Sequence, residues 1–253
     1  MRLLLAEDNP VNQQVAVLLL RKQGHSVDVA GDGREAVDAV RDTPIPYDLV
    51  LMDVQMPEMD GLEATAAIRA LPGDRRRVII IAMTANAMQG DSDICLKAGM
   101  NDYIAKPVTP DKLASVLANW SQRAAPALPL PPEPPPTNPT DEALPLFDEE
   151  ARAELRDALD EDGLRELERV FLDHAPDQMR AIADTRDPAQ LATLAHSVKG
   201  GSANLGLTAV RAAALALEQA ARAQAPAAEL DRRVADLADR FAQTVAALER
   251  NFV

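Results

Sequence analysis

The chain has 253 residues, a net charge of −14, only 3% aromatic residues and a single cysteine, Cys95. That length suits one large domain or two ordinary ones. The negative charge excludes a nucleic-acid partner, whose phosphates need lysine and arginine to displace counterions, and one cysteine excludes an intramolecular disulfide framework.

Strand and helix signals alternate through the first half. Apolar runs at 2–7 (RLLLAE), 26–30 (SVDVA), 47–53 (YDLVLMD), 78–83 (VIIIAM) and 102–105 (DYIA) predict five strands. Helical patterns predict helices over 11–23, 34–40, 62–70, 87–97 and 110–120. Five strand–helix units imply an α/β fold, a parallel sheet with helices on both faces. Functional groups in such a sheet gather beyond the carboxyl ends of its strands.

Nine of the 19 prolines then fall within 125–145, a stretch short of backbone donors for helix or sheet. It reads as an extended spacer; 20–25 such residues reach on the order of 60–75 Å. Past it the strand signal stops. Leu155, Leu159, Leu164, Leu167, Val170 and Phe171 recur at helical spacing. Asp187-Pro188-Ala189-Gln190 reads as a capped helix start, and Thr208 and Pro226 open two more helices. The expected organisation is an α/β domain over 1–122, a Pro-rich linker over 123–145 and an antiparallel bundle of four or five helices over 146–253. No run of about 20 apolar residues offers a membrane span. The N-terminal MRLLLAEDNP carries two acids and is not a secretory signal, so a cytoplasmic location is expected.

Glu7 and Asp8 sit at the end of the first predicted strand and Asp53 at the end of the third. Thr84 follows the fourth and Lys106 the fifth. All five therefore meet on one rim of the sheet. Three carboxylates together repel one another, and a hard divalent cation resolves the repulsion; Mg²⁺ keeping several waters suits such oxygen ligands. Lys106 adds a second positive charge and Thr84 a hydroxyl donor, while a cis bond at Lys106-Pro107 would aim the lysine inward. Cation, donors and a nucleophilic carboxylate are the parts of a phosphoryl-transfer site.

The stretches LLLAEDNPVNQ, DLVLMDVQMPEMDGLEAT, IIIAMTANA and MNDYIAKPV resemble response-regulator receiver domains, most closely those of hybrid sensor kinases. The resemblance covers residues 1–120. It implies a flavodoxin-like sheet of order 2-1-3-4-5, Asp53 as phosphoacceptor, Glu7 and Asp8 as metal acids, and a backbone carbonyl ligand from Gln55. It also implies Thr84 and Lys106 as the phosphoryl-sensing pair and Tyr103 as an aromatic that changes exposure on activation.

The helical half carries LAHSVKGGSANLGL, a predicted helix with a histidine followed by a lysine and two glycines. Glycine costs a helix roughly 1 kcal/mol relative to alanine, so Gly200 and Gly201 need another reason. On a helical wheel Leu191, Leu194, Val198 and Leu205 lie opposite His196, which puts the imidazole toward solvent. Around it fall Ala192, Lys199, Gly200 and Ala203, a small-residue face that leaves room for a bulky partner. Gly201 falls on the core side, where it suits close packing. Lys199 is one turn from the ring and can contact an anion on it. An exposed imidazole is nucleophilic near neutral pH and needs no added base toward an aspartyl phosphate, which is already activated. The pattern AHSVKGGSANLG resembles histidine phosphotransfer domains, and the resemblance implies His196 as the phosphorylated residue. His25 reads as a turn residue, and His174 precedes a stretch that Pro176 is expected to disrupt.

Glycine-rich nucleotide signatures are missing, so phosphorylation from ATP is not expected of this sequence. The combined resemblance is to the C-terminal part of a bacterial hybrid sensor histidine kinase. It implies a phosphorelay whose partners are an upstream kinase phosphohistidine and a downstream response-regulator receiver. Two alternatives stay open at this point. One is a free-standing protein whose receiver only controls docking of the bundle; the other is a phosphate sink.

Overall fold

The computed structural model describes residues 1–84, 89–121 and 144–250. The five apolar runs form one parallel sheet: β1 (Arg2–Ala6), β2 (Ser26–Ala30), β3 (Leu49–Asp53), β4 (Ile79–Thr84) and β5 (Asp102–Ala105). Their order is β2-β1-β3-β4-β5. The three inner strands are apolar almost throughout, because a strand covered on both faces has no solvent side: Leu3, Leu4, Leu5, Leu49, Val50, Leu51, Ile80 and Ile81 are all fully buried. The edge strands β2 and β5 alternate with exposed or half-buried residues.

The intervening helices are α1 (Pro10–Lys22), α2 (Gly33–Asp42), α3 (Gly61–Arg69), α4 (Gln89–Lys97) and α5 (Pro110–Ser121). Their starts are written into the sequence. The side chain of Asn9 accepts from the backbone N–H groups of Val11 and Asn12, and that of Asp32 from Glu35. Asp60 and Glu63 form a reciprocal capping box. The beginning predicted for the fourth helix, at 87–88, lies outside the described residues, as does most of the Pro-rich spacer.

The chain divides into two units, Met1–Pro136 and Thr137–Val253. The second is helical: α6 (Glu149–Asp184), α7 (Pro188–Asn204), α8 (Thr208–Arg222) and α9 (Ala227–Glu249). Asp187 caps α7 as expected, accepting from Ala189 N at 3.0 Å. Gln190 accepts a hydrogen bond from Thr185 Oγ1. Pro176 does not disrupt α6, which runs through it. Phe171, Ala175 and Ile182 are buried on either side and hold the helix against its neighbours. The break falls instead at Asp160, where φ is 63° and ψ 177°, a region nearly reserved for glycine. Asp160 Oδ1 restarts the helix by accepting from Gly163 N at 3.1 Å. The N-terminal end of α6 is fastened to the α7–α8 connection: Asp148 N donates to Gly206 O at 2.8 Å and Arg152 Nη1 to Leu205 O at 3.4 Å, while Arg152 also pairs with the buried Glu168 farther along α6. No helix among the described residues is long and apolar enough to cross a membrane.

The bundle core holds two hydroxyls, Ser202 Oγ and Thr244 Oγ1, that are buried without a hydrogen-bond partner among the described residues. A buried polar group left unpaired costs about 1–3 kcal/mol. Thr244→Val keeps the shape and removes that cost, so it is expected to raise the melting temperature of the helical unit by several degrees. Thermal denaturation followed by loss of helix measures this, and a lowered midpoint would show that the hydroxyl is satisfied.

Candidate functional site

The carboxyl ends of β1, β3, β4 and β5 bring the rim residues together. One carboxylate oxygen each from Glu7, Asp8 and Asp53 lies within 4.8 Å of the others. Lys106 Nζ donates to Glu7 Oε2 at 2.7 Å and to Asp53 Oδ2 at 2.6 Å. The Lys106-Pro107 bond is cis. Thr84 is buried and pairs in register with Ala105, beside Lys106, whose backbone N–H donates to Thr84 O. Gln55 N donates to Asp53 Oδ1 at 3.2 Å, which places the Gln55 backbone at the same carboxylate. Tyr103 is half-buried on β5 and packs against the core on the α2–α3 side of the sheet.

Burial, and after it the neighbouring Glu7 charge, pushes the Asp53 carboxyl up to about 7 against the pull of Lys106. Burial by itself would lower Lys106, but Glu7 and Asp53 outweigh it and raise the ammonium above its ordinary value. One cation is thus shared by acids that still repel one another. Three convergent hard oxygen donors with charge to spare fit a small divalent ion.

Glycine decides how closely the end of the Asp53 strand can be approached. A Cβ on Gly61 would stand 2.1 Å from Asp53 O, so only glycine lets α3 begin against the end of β3.

The helical unit has its own polar cluster. His196 on α7 meets Glu218 on α8, with Nδ1 2.8 Å from Oε1. Lys199 Nζ donates to Glu218 Oε2 at 2.7 Å, and Arg222 pairs with Glu218 Oε1 at 2.6 Å. Lys199 Nζ also stands 3.2 Å from Nδ1. An ammonium only donates and a carboxylate only accepts. The shorter contact, to Glu218, favours the tautomer with its proton on Nδ1, which leaves the lone pair on Nε2. Burial would raise the Glu218 carboxyl, but hydrogen bonds from His196 and Lys199 hold it down at about 2.

The wheel placed His196 toward solvent and Leu194 in the core. The side chain is in fact 16% exposed, because α8 packs along that side of α7 and Glu218 covers the Nδ1 edge. Leu194 is only half-buried. Ala192 and Ala195 are buried instead, so the core stripe is rotated toward α8. Gly201 is buried, as expected of a packing position, and Gly200 and Ala203 are half-buried near the histidine. His25 lies in the turn after α1 near the N-terminal ammonium, and His174 is exposed on α6.

Two groups of residues escaped the sequence. Around Glu7 they are Asn9 and Asn12, whose side chains fold back over the first turn of α1. Around His196 they are Glu218 and Arg222. Glu218 had left a trace, as a lone acid on the apolar face made by Ala214, Leu217 and Ala221.

Residues 3–118 match the family model described as response regulator receiver domain. Residues 147–251 match that described as Hpt domain. The chain is a receiver domain followed by an Hpt domain. Among curated relatives, two-component system protein A of Emericella nidulans is 48% identical over 118 residues, covering 46% of this chain and 17% of that protein. Sensor protein GacS of Pseudomonas syringae pv. syringae is 43% identical over 122 residues, 47% of this chain and 13% of that protein. The receiver–Hpt chain thus spans a small part of the length of these relatives, which include fungal as well as bacterial proteins. A solved receiver domain of a sensor histidine kinase from Pseudomonas aeruginosa PAO1 is 49% identical, with a TM-score of 0.44. It covers 47% of this chain and 95% of its own, and is described with a magnesium ion coordinated in its active-site cleft.

Proposed function

We propose that the receiver–Hpt chain carries two consecutive stations of a phosphorelay, with Asp53 as the aspartyl acceptor and His196 as the histidyl one. The observation that carries this reading is the presence, on one chain, of an acid–lysine rim around a buried aspartate and of a histidine whose Nδ1 is held by a carboxylate. A phosphohistidine of a kinase donates to Asp53: its N–P bond breaks and an O–P bond to the carboxylate forms. His196 Nε2 then attacks the phosphorus of an aspartyl phosphate: its O–P bond breaks, an N–P bond forms and the carboxylate leaves, while the proton on Nδ1 stays hydrogen-bonded to Glu218 Oε1. A downstream receiver takes the group from His196.

Glu7, Asp8, Asp53 and the Gln55 carbonyl would hold Mg²⁺, which supplies charge neutralisation at the phosphoryl oxygens when bound. Lys106, fixed between Glu7 and Asp53, offers an ammonium to the transferred group. Thr84, at the carboxyl end of β4, would offer its hydroxyl to the same group, and Tyr103, on the neighbouring β5, would change exposure in response. Lys199 does at His196 what Lys106 does at Asp53. The domain limits 1–122, 123–145 and 146–253 and a cytoplasmic setting belong to the same proposal. An Hpt domain that presents an oriented imidazole favours transfer over a docking role alone.

The test supplies the full chain with Mg²⁺ and phosphoramidate, then with a phosphorylated receiver, and maps phosphate over time. Base-labile phosphate is expected at Asp53 and acid-labile phosphate at His196. Phosphate on neither residue, or none on His196 when a phosphorylated receiver is present, overturns the reading.

A further inference from the structure

We infer that Asn12 is a positioning residue for the cation site, its side-chain amide holding Glu7 in the orientation from which the acid rim takes a divalent ion. The inference rests on the proposed role of the Asp53 site. Glu7 is 1% exposed, so water does not serve its carboxylate freely, and protein donors must do so. Its two oxygens are served by different donors. Oε2 accepts from Lys106 Nζ, and Oε1 accepts from Asn12 Nδ2 at 2.8 Å, with Asn9 N more distant at 3.4 Å. Two donors on two oxygens fix the plane of the carboxylate.

Lys106 cannot set that plane by itself. Its ammonium is a point charge on a flexible stem, and it is bound equally closely to Asp53. Without Asn12, the remaining strong contact would draw Glu7 toward Lys106 and Asp53, where repulsion between the acids is greatest. Asn12 opposes this without adding a charge. A lysine in its place would neutralise the acid that the metal needs, and an aspartate would repel it. The asparagine is itself held: it is 6% exposed, and its backbone N–H donates to Asn9 Oδ1 at 3.2 Å. The first turn of α1 is thereby locked to the acid that precedes it.

Residues that orient metal ligands from behind typically change metal affinity by about 10–100-fold when removed. The experiment uses the full chain and two variants, Asn12→Leu, which fills the space without a donor, and Asn12→Ala, which admits water. Circular dichroism checks folding. Calorimetry gives the Mg²⁺ dissociation constant, with Asp53→Asn as the blank for binding elsewhere. Phosphorylation by phosphoramidate is followed across Mg²⁺ concentration. The expected result is a dissociation constant raised about tenfold in Asn12→Leu and less in Asn12→Ala. The rate at saturating Mg²⁺ should stay within about twofold of the parent, since the nucleophile is untouched. A folded variant with parental Mg²⁺ affinity overturns the inference, and so does a rate that stays low at saturating Mg²⁺. If Asn12→Leu does not fold, Asn12→Ala carries the same comparison. A parent chain that binds no Mg²⁺ at Asp53 overturns the underlying assignment instead.

Discussion

Asp53→Asn is expected to abolish phosphate uptake by the receiver, by at least roughly 10³-fold, because an amide is a very poor nucleophile beside a carboxylate. The substitution should not unfold the domain. Asp53 stands beside Glu7 in a buried site, and its carboxyl is pushed up to about 7. A carboxyl whose folded value lies above its ordinary 3.8 supports the fold fully below about 3.8. That support is lost as pH rises toward and through about 7. Without metal, the variant should therefore melt higher than the parent at pH 8, and the difference should shrink toward pH 4. Added Mg²⁺ should then stabilise the parent and have little effect on the variant, since ligand binding to the folded state stabilises it by mass action. Chelation by EDTA should stop phosphorylation of the parent as completely as the substitution does. Base-labile phosphate appearing on the variant receiver at the parental rate would remove Asp53 from its role.

The rim was legible because strand ends are legible. β1, β3 and β4 are covered on both faces, so they read as apolar runs, and the polar residue that ends each run marks where the sheet stops. Glu7, Asp53 and Thr84 are such residues, and the parallel topology does the rest. Asn12 was not legible in the same way. Its contact with Glu7 depends on how the first turn of α1 folds back, which periodicity does not encode. In the bundle the limit was different. A wheel gives the faces of one helix but not which neighbour covers the boundary between them. α8 covers that boundary on α7, so Ala192 and Ala195 are buried and His196 is enclosed on one edge. The proline rule failed in α6 for a related reason. Packing of Phe171, Ala175 and Ile182 carries the helix through Pro176, whereas the break falls at Asp160, which has no intrinsic preference for that conformation.

Glu218 is the residue on which the Hpt site is expected to depend most after His196 itself. Its carboxylate holds the Nδ1 proton and pairs with both Lys199 and Arg222. Glu218→Ala removes the acceptor and leaves two cations facing the imidazole. Either ring nitrogen can then carry the proton, and the lone pair needed at Nε2 is no longer assured. Phosphotransfer to His196 is expected to fall on the order of 10²-fold, the usual scale of a positioned proton acceptor. Glu218→Gln keeps an acceptor oxygen for Nδ1 and loses the charge, so its loss should be smaller. Stability should fall in the alanine variant by about 1–3 kcal/mol. This is less than for a fully buried pair, because the Arg222 side chain is 53% exposed and screened. The pH dependence has a definite sign. The folded value of Glu218, about 2, lies below its ordinary 4.5. Its contribution is therefore complete above about 4.5 and is lost as pH falls through about 2. The stability gap between parent and Glu218→Gln should accordingly close across that window and stay constant above it. Nitrogen NMR of the His196 ring separates orientation from folding: the parent should show the Nδ1–H form, and the alanine variant a mixture of both. A folded alanine variant that retains the Nδ1–H form and the parental transfer rate would mean that the imidazole is oriented by something other than Glu218.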